Sequence, residues 1–369
     1  MIPLQRPQLG EAELEAVSRV FASRWLGQGE QATRFELAVG RFVGAREVVA
    51  TSSGTAALHL ALASLDLEPG AEVIVPSLTF VATVQAIVAA RLVPVFADID
   101  PVTMNVSPAS IARCLTKRTR AIVPVHYRGA PCAMDEILAL AGTRGLVVVE
   151  DAAHAFGSRF KGRRIGGAGH VACFSFDPVK VVTCGEGGAI AFAGEGLEPA
   201  ARRARRQRVL GIDTDGWTRL QRGRWHYAVD EDGFRYHMPD LNAAIGLAQL
   251  ERFEAFAARR HAIAAAYDGA FRGAHGVEVI PTDPTAAVPF LYVLKVDDRA
   301  AFMAGLAARG VATGVHYIPN HRHGRFSGCP RDDLRHTEAQ AERIVSLPLF
   351  TEQSDAEVEA VIAAVLAQA

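Results

Sequence analysis

One lysine in the sequence has the surroundings that covalent chemistry on a carbonyl group requires. Lys180 lies within residues 173–188, CFSFDPVKVVTCGEGG, among small and apolar side chains. Burial lowers the pKa of a lysine amine, and a neutral amine is the nucleophile that forms a Schiff base with an aldehyde. The glycines that follow allow a tight turn, and Ser175 offers a hydroxyl to a phosphate. The competing interpretation is a solvated surface lysine, which is the commoner case.

A second motif, TSSGTAALHLAL from Thr51, has the composition of an anion site. It follows the strand-like EVVA and starts a strong helix-forming run, so Gly54 and Thr55 would lie at the positive end of a helix, with free backbone N–H groups. Ser52, Ser53 and Thr55 are also ordinary helix-capping residues. The motif alone therefore leaves both interpretations open.

The third motif is VVVEDAAHAFGS, residues 147–158, in which Asp151 ends an apolar strand. An isolated carboxylate is costly to bury, so this side chain needs a partner, and a protonated pyridine nitrogen is one such partner. A carboxylate in that position keeps the ring cationic and able to withdraw electrons from a carbanion. Glu150 points to the opposite side of the same strand and is interpreted as structural.

The elements around these motifs indicate an α/β fold with a mostly parallel sheet. From residue 73 onward, apolar strand-like runs alternate with helical patterns, and the strands show no polar face, which is typical of parallel sheets covered by helices on both sides. Ligands then bind at the carboxyl ends of the strands. The strand-like runs are VIVPS, VPVFADID, AIVPVH and LVVVED, and helices are predicted over 11–23, 30–43, 80–91, 107–117 and 134–143.

The C-terminal part predicts a smaller α+β domain, with the strand FLYVLKV followed by a helix. Ser354 and Glu357 form a capping-box pattern at the start of a final helix. We predict a large cofactor-binding domain over residues 1–235, including an N-terminal helical segment, and a small domain over residues 236–369. A long helix that starts near Leu241 would join the two.

Composition argues against several classes of protein. The 369-residue chain is half hydrophobic, yet charged residues interrupt every apolar stretch before the roughly eighteen residues that a membrane helix needs. The net charge of −1 indicates neither a nucleic-acid nor a membrane partner. The five cysteines show no CxxC spacing, so reduced thiols are expected rather than disulfides or a zinc site. The N-terminus lacks a secretory pattern, and we expect a cytoplasmic protein. The arginine cluster over 202–208, RRARRQR, is either a solvated helix face or a surface that attracts a diphosphate.

In this order and spacing, the motifs resemble those of a known family. SGTAAL, EDAAHA and the lysine loop, SFDPVK followed by TCGEGGAI, are similar to segments of the DegT/DnrJ/EryC1/StrS family, the fold-type I pyridoxal-phosphate aminotransferases that act on nucleotide-linked keto-sugars. SLPLFTEQSDAEVEAVI also matches the family's closing pattern, and the resemblance spans nearly the whole chain. It implies a fold-type I transferase with pyridoxal 5′-phosphate as its cofactor.

The resemblance also implies roles for individual residues. Lys180 would hold the cofactor covalently and shuttle a proton, and Asp151 would face the pyridine nitrogen. Phe80 stands where the family stacks an aromatic ring on the pyridine, with a core phenylalanine as the alternative. The residues that would hold the cofactor phosphate are Gly54, Thr55, Ser175 and, from the neighbouring subunit, Arg235. The segment GVHYIPNH resembles the family's substrate-facing segment, and its residues expected to contact sugar or diphosphate are His316, Tyr317 and His321.

Three positions depart from the family's usual residues. His154 replaces a common glutamine, and we expect it to lie against the cofactor ring or its hydroxyl. Arg235 replaces the asparagine of a GYNYRM-like sequence, and a basic side chain there can make the same phosphate contact. His237 replaces an arginine. The changes at Arg235 and His237 concern the substrate subgroup more than the chemistry.

The resemblance implies transfer of an amino group from glutamate to a keto-sugar linked to a nucleoside diphosphate, in amino-sugar biosynthesis. Because the family's site is shared between subunits, a two-fold homodimer is expected. Relatives that make aminocyclitols or an aminohydroxybenzoate share these motifs, and a non-catalytic cofactor-binding regulator is an alternative from another class. Sugar dehydratases of the family carry histidine in place of the lysine, and Lys180 argues against them.

Overall fold

The computed structural model describes residues 1–368 and consists of three β-sheets with helices packed around them. Its α-helices are α1 (Glu11–Ser23), α2 (Glu30–Val43), α3 (Gly54–Ser64), α4 (Val81–Ala89), α5 (Pro108–Cys114), α6 (Met134–Gly142), α7 (Glu198–Gln207), α8 (Gly216–Gln221), α9 (Asp240–Glu251), α10 (Phe253–Phe271), α11 (Arg299–Ala308), α12 (Arg335–Ala341) and α13 (Asp355–Leu366). Its strands are β1 (Glu47–Thr51), β2 (Glu72–Pro76), β3 (Val93–Ala97), β4 (Thr119–Ile122), β5 (Val147–Asp151), β6 (Arg159–Phe160), β7 (Arg163–Arg164), β8 (Val171–Ser175), β9 (Gly188–Phe192), β10 (Val277–Val279), β11 (Tyr292–Val296) and β12 (Ile344–Leu347). α1 and α2 have the predicted bounds. The other predicted helices end one to three residues before the predicted last residue.

The largest sheet has seven strands in the order β1-β9-β8-β5-β4-β2-β3. Neighbouring strands are parallel except at β9, which runs antiparallel to β1 and β8. The predicted mostly parallel sheet is therefore confirmed. Val73 and Val75 of β2 pack with α3 and α4, whereas Ile74 packs with α5 and α6. Because successive side chains of a strand point to opposite faces, helices cover this sheet on both sides.

A second sheet, β10-β11-β12, is antiparallel and forms part of the predicted α+β region. Tyr267 from α10, Leu294 from β11 and Val361 from α13 lie in one buried cluster, so both helices pack on this sheet. The predicted capping box is confirmed. Ser354 Oγ accepts the N–H of Glu357 at 3.2 Å, and the Glu357 carboxylate accepts the N–H of Ser354 at 2.8 Å.

The single long helix predicted from Leu241 is wrong, because α9 and α10 are separated at Arg252, whose φ and ψ are −101° and 4°. α9 packs against α1 and α2, and the carboxylate of Asp240 accepts backbone N–H groups at the start of α2. α10 extends to the smaller sheet. One intervening residue preserves the helical spacing of apolar side chains, so the sequence pattern continues across the break. The division into domains over residues 1–235 and 236–369 stays a prediction.

The arginine cluster on α7 is largely neutralised within the chain. Arg205 and Arg208 both bind the buried carboxylate of Glu36 on α2, and Arg205 also binds Glu47 at 2.8 Å. Burial alone would raise the pKa of Glu36, but the two guanidinium groups hold it below its ordinary value. These arginines therefore fasten α7 to α2 and β1, which neither of the two interpretations of the cluster anticipated.

Within residues 1–368, no helix combines the length and apolar character needed to cross a membrane. The same residues contain no group of three or more histidine, cysteine, aspartate or glutamate side chains placed to hold a metal ion. All five cysteines are unpaired, and four of them are buried.

Candidate active site

The carboxyl ends of β1, β5 and β8 open onto one cavity of about 390 Å³, a size that suits a small organic ligand. The chain enters α3 directly after β1, so the N-terminus of that helix lies at the same edge of the sheet. Most of the residues predicted to form the site line this cavity, namely Gly54, Thr55, Phe80, Asp151, His154, Ser175, Lys180, His316 and Tyr317.

Lys180 lies in the turn that follows β8. Its N–H donates to the carbonyl of Asp177 at 3.0 Å, and its Nζ lies 4.2 Å from the centre of the Phe290 ring. Burial lowers the pKa of the amine to about 8, although the nearby carboxylates of Asp177 and Asp151 act in the opposite direction. A large share of the amine is therefore neutral, and nucleophilic, at mildly alkaline pH.

Asp151 ends β5, with its carboxylate in the cavity and only 5% of the residue exposed. Thr83 Oγ1 donates to Oδ2 at 2.7 Å, and the N–H of Ala153 donates to Oδ1 at 3.1 Å. Burial raises the pKa of this carboxyl, while both hydrogen bonds act to lower it. A ligand that brings a positively charged N–H group would relieve the cost of burying the charge.

The N-terminus of α3 contains both features that the TSSGT motif suggested, a helix cap and a group of free backbone N–H donors. Ser53 is the cap, since its Oγ accepts the N–H of Ala56 at 3.1 Å. The N–H groups of Gly54 and Thr55 precede the first intrahelical hydrogen bond and lie at the positive end of the helix. A Cβ atom on Gly54 would lie only 2.7 Å from Cβ of Ser175, so the glycine allows the helix end to approach the Ser175 hydroxyl. An anion placed there meets donors from both elements.

Aromatic rings and imidazoles form the remaining walls. Phe80 precedes α4 and is 54% exposed, with its ring centre 5.6 Å from that of Tyr317. The core alternative for Phe80 is therefore excluded. His154 Nε2 is hydrogen-bonded to the hydroxyl of Tyr317 at 2.9 Å, and its ring lies 4.4 Å from that of Phe290. Through these contacts with Tyr317 and Phe290, His154 at the strand end packs against the C-terminal part of the chain.

Both histidines of the cavity are neutral at physiological pH. Burial, Lys180 and His316 together lower the pKa of His154 well below its ordinary value. Burial and Lys180 lower the pKa of His316 to about 4, and its Nδ1 is hydrogen-bonded to Ser346 Oγ at 2.8 Å. The imidazoles can therefore exchange hydrogen bonds with a ligand, but they do not provide a positive charge.

Two predicted site residues lie away from the cavity lining. Both ring nitrogens of His321 are engaged, Nδ1 with Ser77 Oγ at 2.7 Å and Nε2 with the carboxylate of Glu338. The short 3₁₀ turn Asn320–Arg322 directs this buried ring toward those partners, so the predicted substrate contact of His321 does not fit the geometry. Arg235 is exposed outside the lining of its own chain, and its predicted contact with a neighbouring subunit stays a prediction.

Sequence reasoning missed Thr83, which fixes Asp151, and Phe290, which lies against both Lys180 and His154. Thr83 had no local signal, because its partner Asp151 lies 68 residues later in the chain. Phe290 had no such signal, since it reaches the cavity from a distant loop. Further lining residues that were not singled out are Gln5, Thr79, Val179 and Glu186.

These groups fit pyridoxal phosphate. Its phosphate needs donors such as those at the start of α3, its aldehyde needs an amine, and its protonated ring nitrogen needs a carboxylate. The specific indication is Asp151, a buried carboxylate that faces the cavity and that, within residues 1–368, accepts hydrogen bonds only from the neutral donors Thr83 and Ala153.

Comparison with known proteins agrees with this fit. The model of the DegT/DnrJ/EryC1/StrS aminotransferase family matches residues 7–366. The chain is 37% identical to the aminotransferase TlmJ from Streptoalloteichus hindustanus, with a TM-score of 0.92 over 100% of this chain and 98% of that chain.

Two further structures are similar over nearly their whole length. Spr1654 from Streptococcus pneumoniae, assigned as a sugar aminotransferase and solved in its pyridoxal-phosphate form, is 27% identical, with a TM-score of 0.93 over 99% of this chain and 98% of that chain. DesI, solved in the presence of its TDP-sugar product, is 33% identical, with a TM-score of 0.89 over 99% of this chain and 92% of that chain. The chain therefore belongs to the DegT/DnrJ/EryC1/StrS aminotransferase family and is a pyridoxal-phosphate-dependent aminotransferase of fold type I.

Proposed function

We propose that this aminotransferase moves an amino group from glutamate to a keto-sugar carried on a nucleoside diphosphate, in amino-sugar biosynthesis. The observation that carries the proposal is the placement of Lys180 and Asp151 in one cavity, where the neighbouring strands β5 and β8 end. Similarity to DesI, solved with its TDP-sugar product, supports the acceptor class. Glutamate is the donor that the family resemblance implies.

Lys180 is the residue that we propose carries the cofactor and moves the proton. When bound, pyridoxal phosphate supplies an electron sink for the substrate carbon that loses or gains a proton. The Lys180 amine, with a pKa of about 8, changes readily between its neutral and charged forms near the working pH. Its Nζ can therefore accept the proton from Cα of the donor and release it again within the same cavity.

Asp151 and the start of α3 hold the two ends of the cofactor in this proposal. The hydrogen bonds from Thr83 and Ala153 fix the plane of the Asp151 carboxylate, whose remaining lone pairs would accept the ring N–H. The N–H groups of Gly54 and Thr55 and the hydroxyl of Ser175 would hold the phosphate. Phe80 and the neutral imidazole of His154 line the cavity between these ends and would flank the cofactor ring.

The sugar-binding side is assigned to His316 and Tyr317. Their side chains enter the cavity, and the imidazole of His316 is neutral, so it recognises hydroxyl groups by hydrogen bonds rather than by charge. His321 takes no part in sugar binding, because Ser77 and Glu338 occupy both of its ring nitrogens.

We further propose a homodimer whose subunits share the site. Lys180 is the only lysine or arginine among the described residues that line the cavity, so the chain's own lining offers the phosphate no other cation. Arg235 lies beside the site edge, because His237, two residues later, forms a β-bridge with Thr51 at the end of β1. An Arg235 side chain that crosses to the neighbouring subunit would supply the missing charge.

The dimer is tested by mixing two inactive variants, Lys180→Ala and Arg235→Ala, after joint denaturation and refolding. If Arg235 serves the neighbouring site, half of the dimers are mixed and each contains one intact site, so about a quarter of the wild-type activity returns. Lack of recovery, with dimers present by light scattering, contradicts a contribution from Arg235 across the interface.

The function is tested by the absorption spectrum of the purified enzyme loaded with pyridoxal phosphate, before and after glutamate is added. We expect glutamate to replace the near-visible band of the bound aldehyde with the band of pyridoxamine phosphate, and Lys180→Ala to lack the wild-type band. A panel of nucleoside-diphosphate keto-sugars then restores the first band if the acceptor class is right. A band that responds only to a different amino acid contradicts glutamate, and one restored only by keto-cyclitols favours the aminocyclitol alternative.

A further inference from the structure

The buried hydroxyl of Thr83 on α4 has a specific connection to Asp151. Its Oγ1 lies 2.7 Å from Oδ2 of Asp151 and 2.8 Å from Oγ1 of Thr79, and both threonines are at most 2% exposed. An ionised carboxylate can only accept hydrogen bonds, so Thr83 donates its single hydroxyl hydrogen to Asp151. It therefore accepts the hydrogen of Thr79. The two hydroxyls form a directed chain that ends on the carboxylate.

This chain favours the charged form of Asp151. Burial raises the pKa of the carboxyl, and the hydrogen bond from Thr83 opposes that effect. A hydrogen bond to an ionised acceptor is about twice as strong as one between neutral groups, and a donor that itself accepts a hydrogen bond is polarised further. Protonation of Asp151 would weaken this arrangement, since the acid accepts less strongly.

The far end of the chain is fixed to the substrate side of the cavity. Asn320 Nδ2 donates to the carbonyl of Thr79 at 2.8 Å and to the carbonyl of Ser77 at 3.1 Å. Asn320 follows the segment that contains His316 and Tyr317. Asn320 is fully buried, and these bonds hold the backbone of Ser77 and Thr79 against that segment.

We propose that Thr83 is a positioning residue for the cofactor, because it orients the Asp151 carboxylate and keeps it ionised to hold the protonated ring nitrogen. The inference rests on the role of Asp151 in the proposed function. Loss of the Thr83 hydroxyl weakens the binding of pyridoxal phosphate about tenfold, which corresponds to about 1.4 kcal/mol. A residue that only fills space in α4 would not produce a loss that depends on Asp151.

The test is a double-mutant cycle on the Kd of pyridoxal phosphate, measured by titration of apoenzyme with Thr83→Val, Asp151→Asn and the combined variant. We expect Thr83→Val to bind about tenfold more weakly than wild type. Combined with Asp151→Asn it adds no further weakening, because the charge that Thr83 serves is gone. The matched control Thr83→Ser keeps the hydroxyl and restores the Kd to within about twofold.

Thermal melting of each apoenzyme separates binding from folding, because valine leaves the Thr79 hydroxyl without its partner. If Thr83→Val does not fold, Thr79→Val replaces it in the cycle, since it removes only the polarising donor and is expected to weaken binding about two- to threefold. Losses that add in the combined variant, or an unchanged Kd in a folded Thr83→Val, overturn the inference. An unchanged Kd in Asp151→Asn instead contradicts the proposed role of Asp151, and the inference fails with it.

Discussion

The cavity has two walls whose residues are positioned in different ways. The strand-end wall consists of residues that end or follow strands of the large sheet, and all four of them line the cavity, namely Gly54, Asp151, Ser175 and Lys180. The C-terminal wall is the segment over 314–321, of which His316 and Tyr317 enter the cavity and His321 does not. On the first wall topology decides the placement, because the ends of parallel strands meet at one edge whatever their side chains. On the second wall, individual hydrogen bonds determine which side chains reach the cavity.

On the C-terminal wall, neighbouring residues of one segment can be oriented differently, as His321 and His316 show. It follows His316 by five residues, yet Ser77 and Glu338 hold its ring outside the cavity lining. His316 Nδ1 is held by Ser346 instead, which leaves its ring beside the cavity. A motif whose residue types suit a ligand therefore does not by itself establish which of them reaches it.

The largest expected effect lies on the strand-end wall. Lys180→Arg keeps a positive charge of similar reach, but a guanidinium neither deprotonates nor forms the covalent bond, so we expect kcat to fall at least about a thousandfold. Lys161→Arg is the control, because Lys161 is exposed and its Nζ pairs with Asp135. Glutamate-dependent turnover is measured for both. More than about a tenth of wild-type activity in Lys180→Arg would falsify the proposed role.

The pH dependence of Lys180 tests the same wall. Burial lowers its pKa from 10.5 to about 8, so the nucleophilic neutral amine increases as pH rises toward 8. The neutral fraction is about 1% at pH 6 and about half at pH 8, so the rate at which apoenzyme attaches pyridoxal rises about fiftyfold. Borohydride trapping at a series of pH values measures that rate, with Lys180→Ala as the blank. A midpoint near 10.5, the ordinary value, would show that the amine is not buried in solution.

Gly54→Ala tests the approach of α3 to β8. The added Cβ lies 2.7 Å from Cβ of Ser175, so the helix end must move away from the Ser175 hydroxyl. Overpacking of this kind costs about 1–3 kcal/mol, and we expect affinity for pyridoxal phosphate to fall about tenfold. Gly142→Ala is the control on α6, where an added Cβ meets no atom within 4 Å, and it is expected to stabilise by up to about 1 kcal/mol. Equal cofactor affinities in the two variants contradict this account.

The smallest expected effects sharpen the comparison on the C-terminal wall. His316→Ala is expected to raise KM for the keto-sugar about tenfold or less, because it removes one neutral hydrogen-bonding group from the cavity. His321→Ala is expected to leave KM unchanged and to lower the free energy of unfolding by about 1–3 kcal/mol, since Ser77 and Glu338 lose a buried partner. Steady-state kinetics and chemical denaturation measure both quantities. A raised KM in His321→Ala, with an unchanged KM in His316→Ala, would place His321 rather than His316 at the substrate.

The sequence singled out the two groups on which the proposed chemistry depends, because each belongs to a local motif, and the family resemblance implied their roles. Asp151 ends an apolar strand and Lys180 lies in a Gly-bearing turn, and these features are visible without the rest of the fold. Thr83 and Phe290 were not predicted, since their importance comes from contacts with residues far away in the chain. The break at Arg252 was missed for a related reason, because the two helices it separates pack on different partners.

The sequence by itself therefore determined the order of elements, the mostly parallel sheet and the edge at which a ligand binds. These properties follow from local periodicity and from the burial of apolar strands on both faces. Only the tertiary structure decided which side chains of the C-terminal segment face the cavity, and which donors hold the Asp151 carboxylate. Such choices depend on hydrogen bonds between segments distant in sequence, such as those of Thr83 to Asp151 and of His321 to Ser77, and no local pattern encodes them.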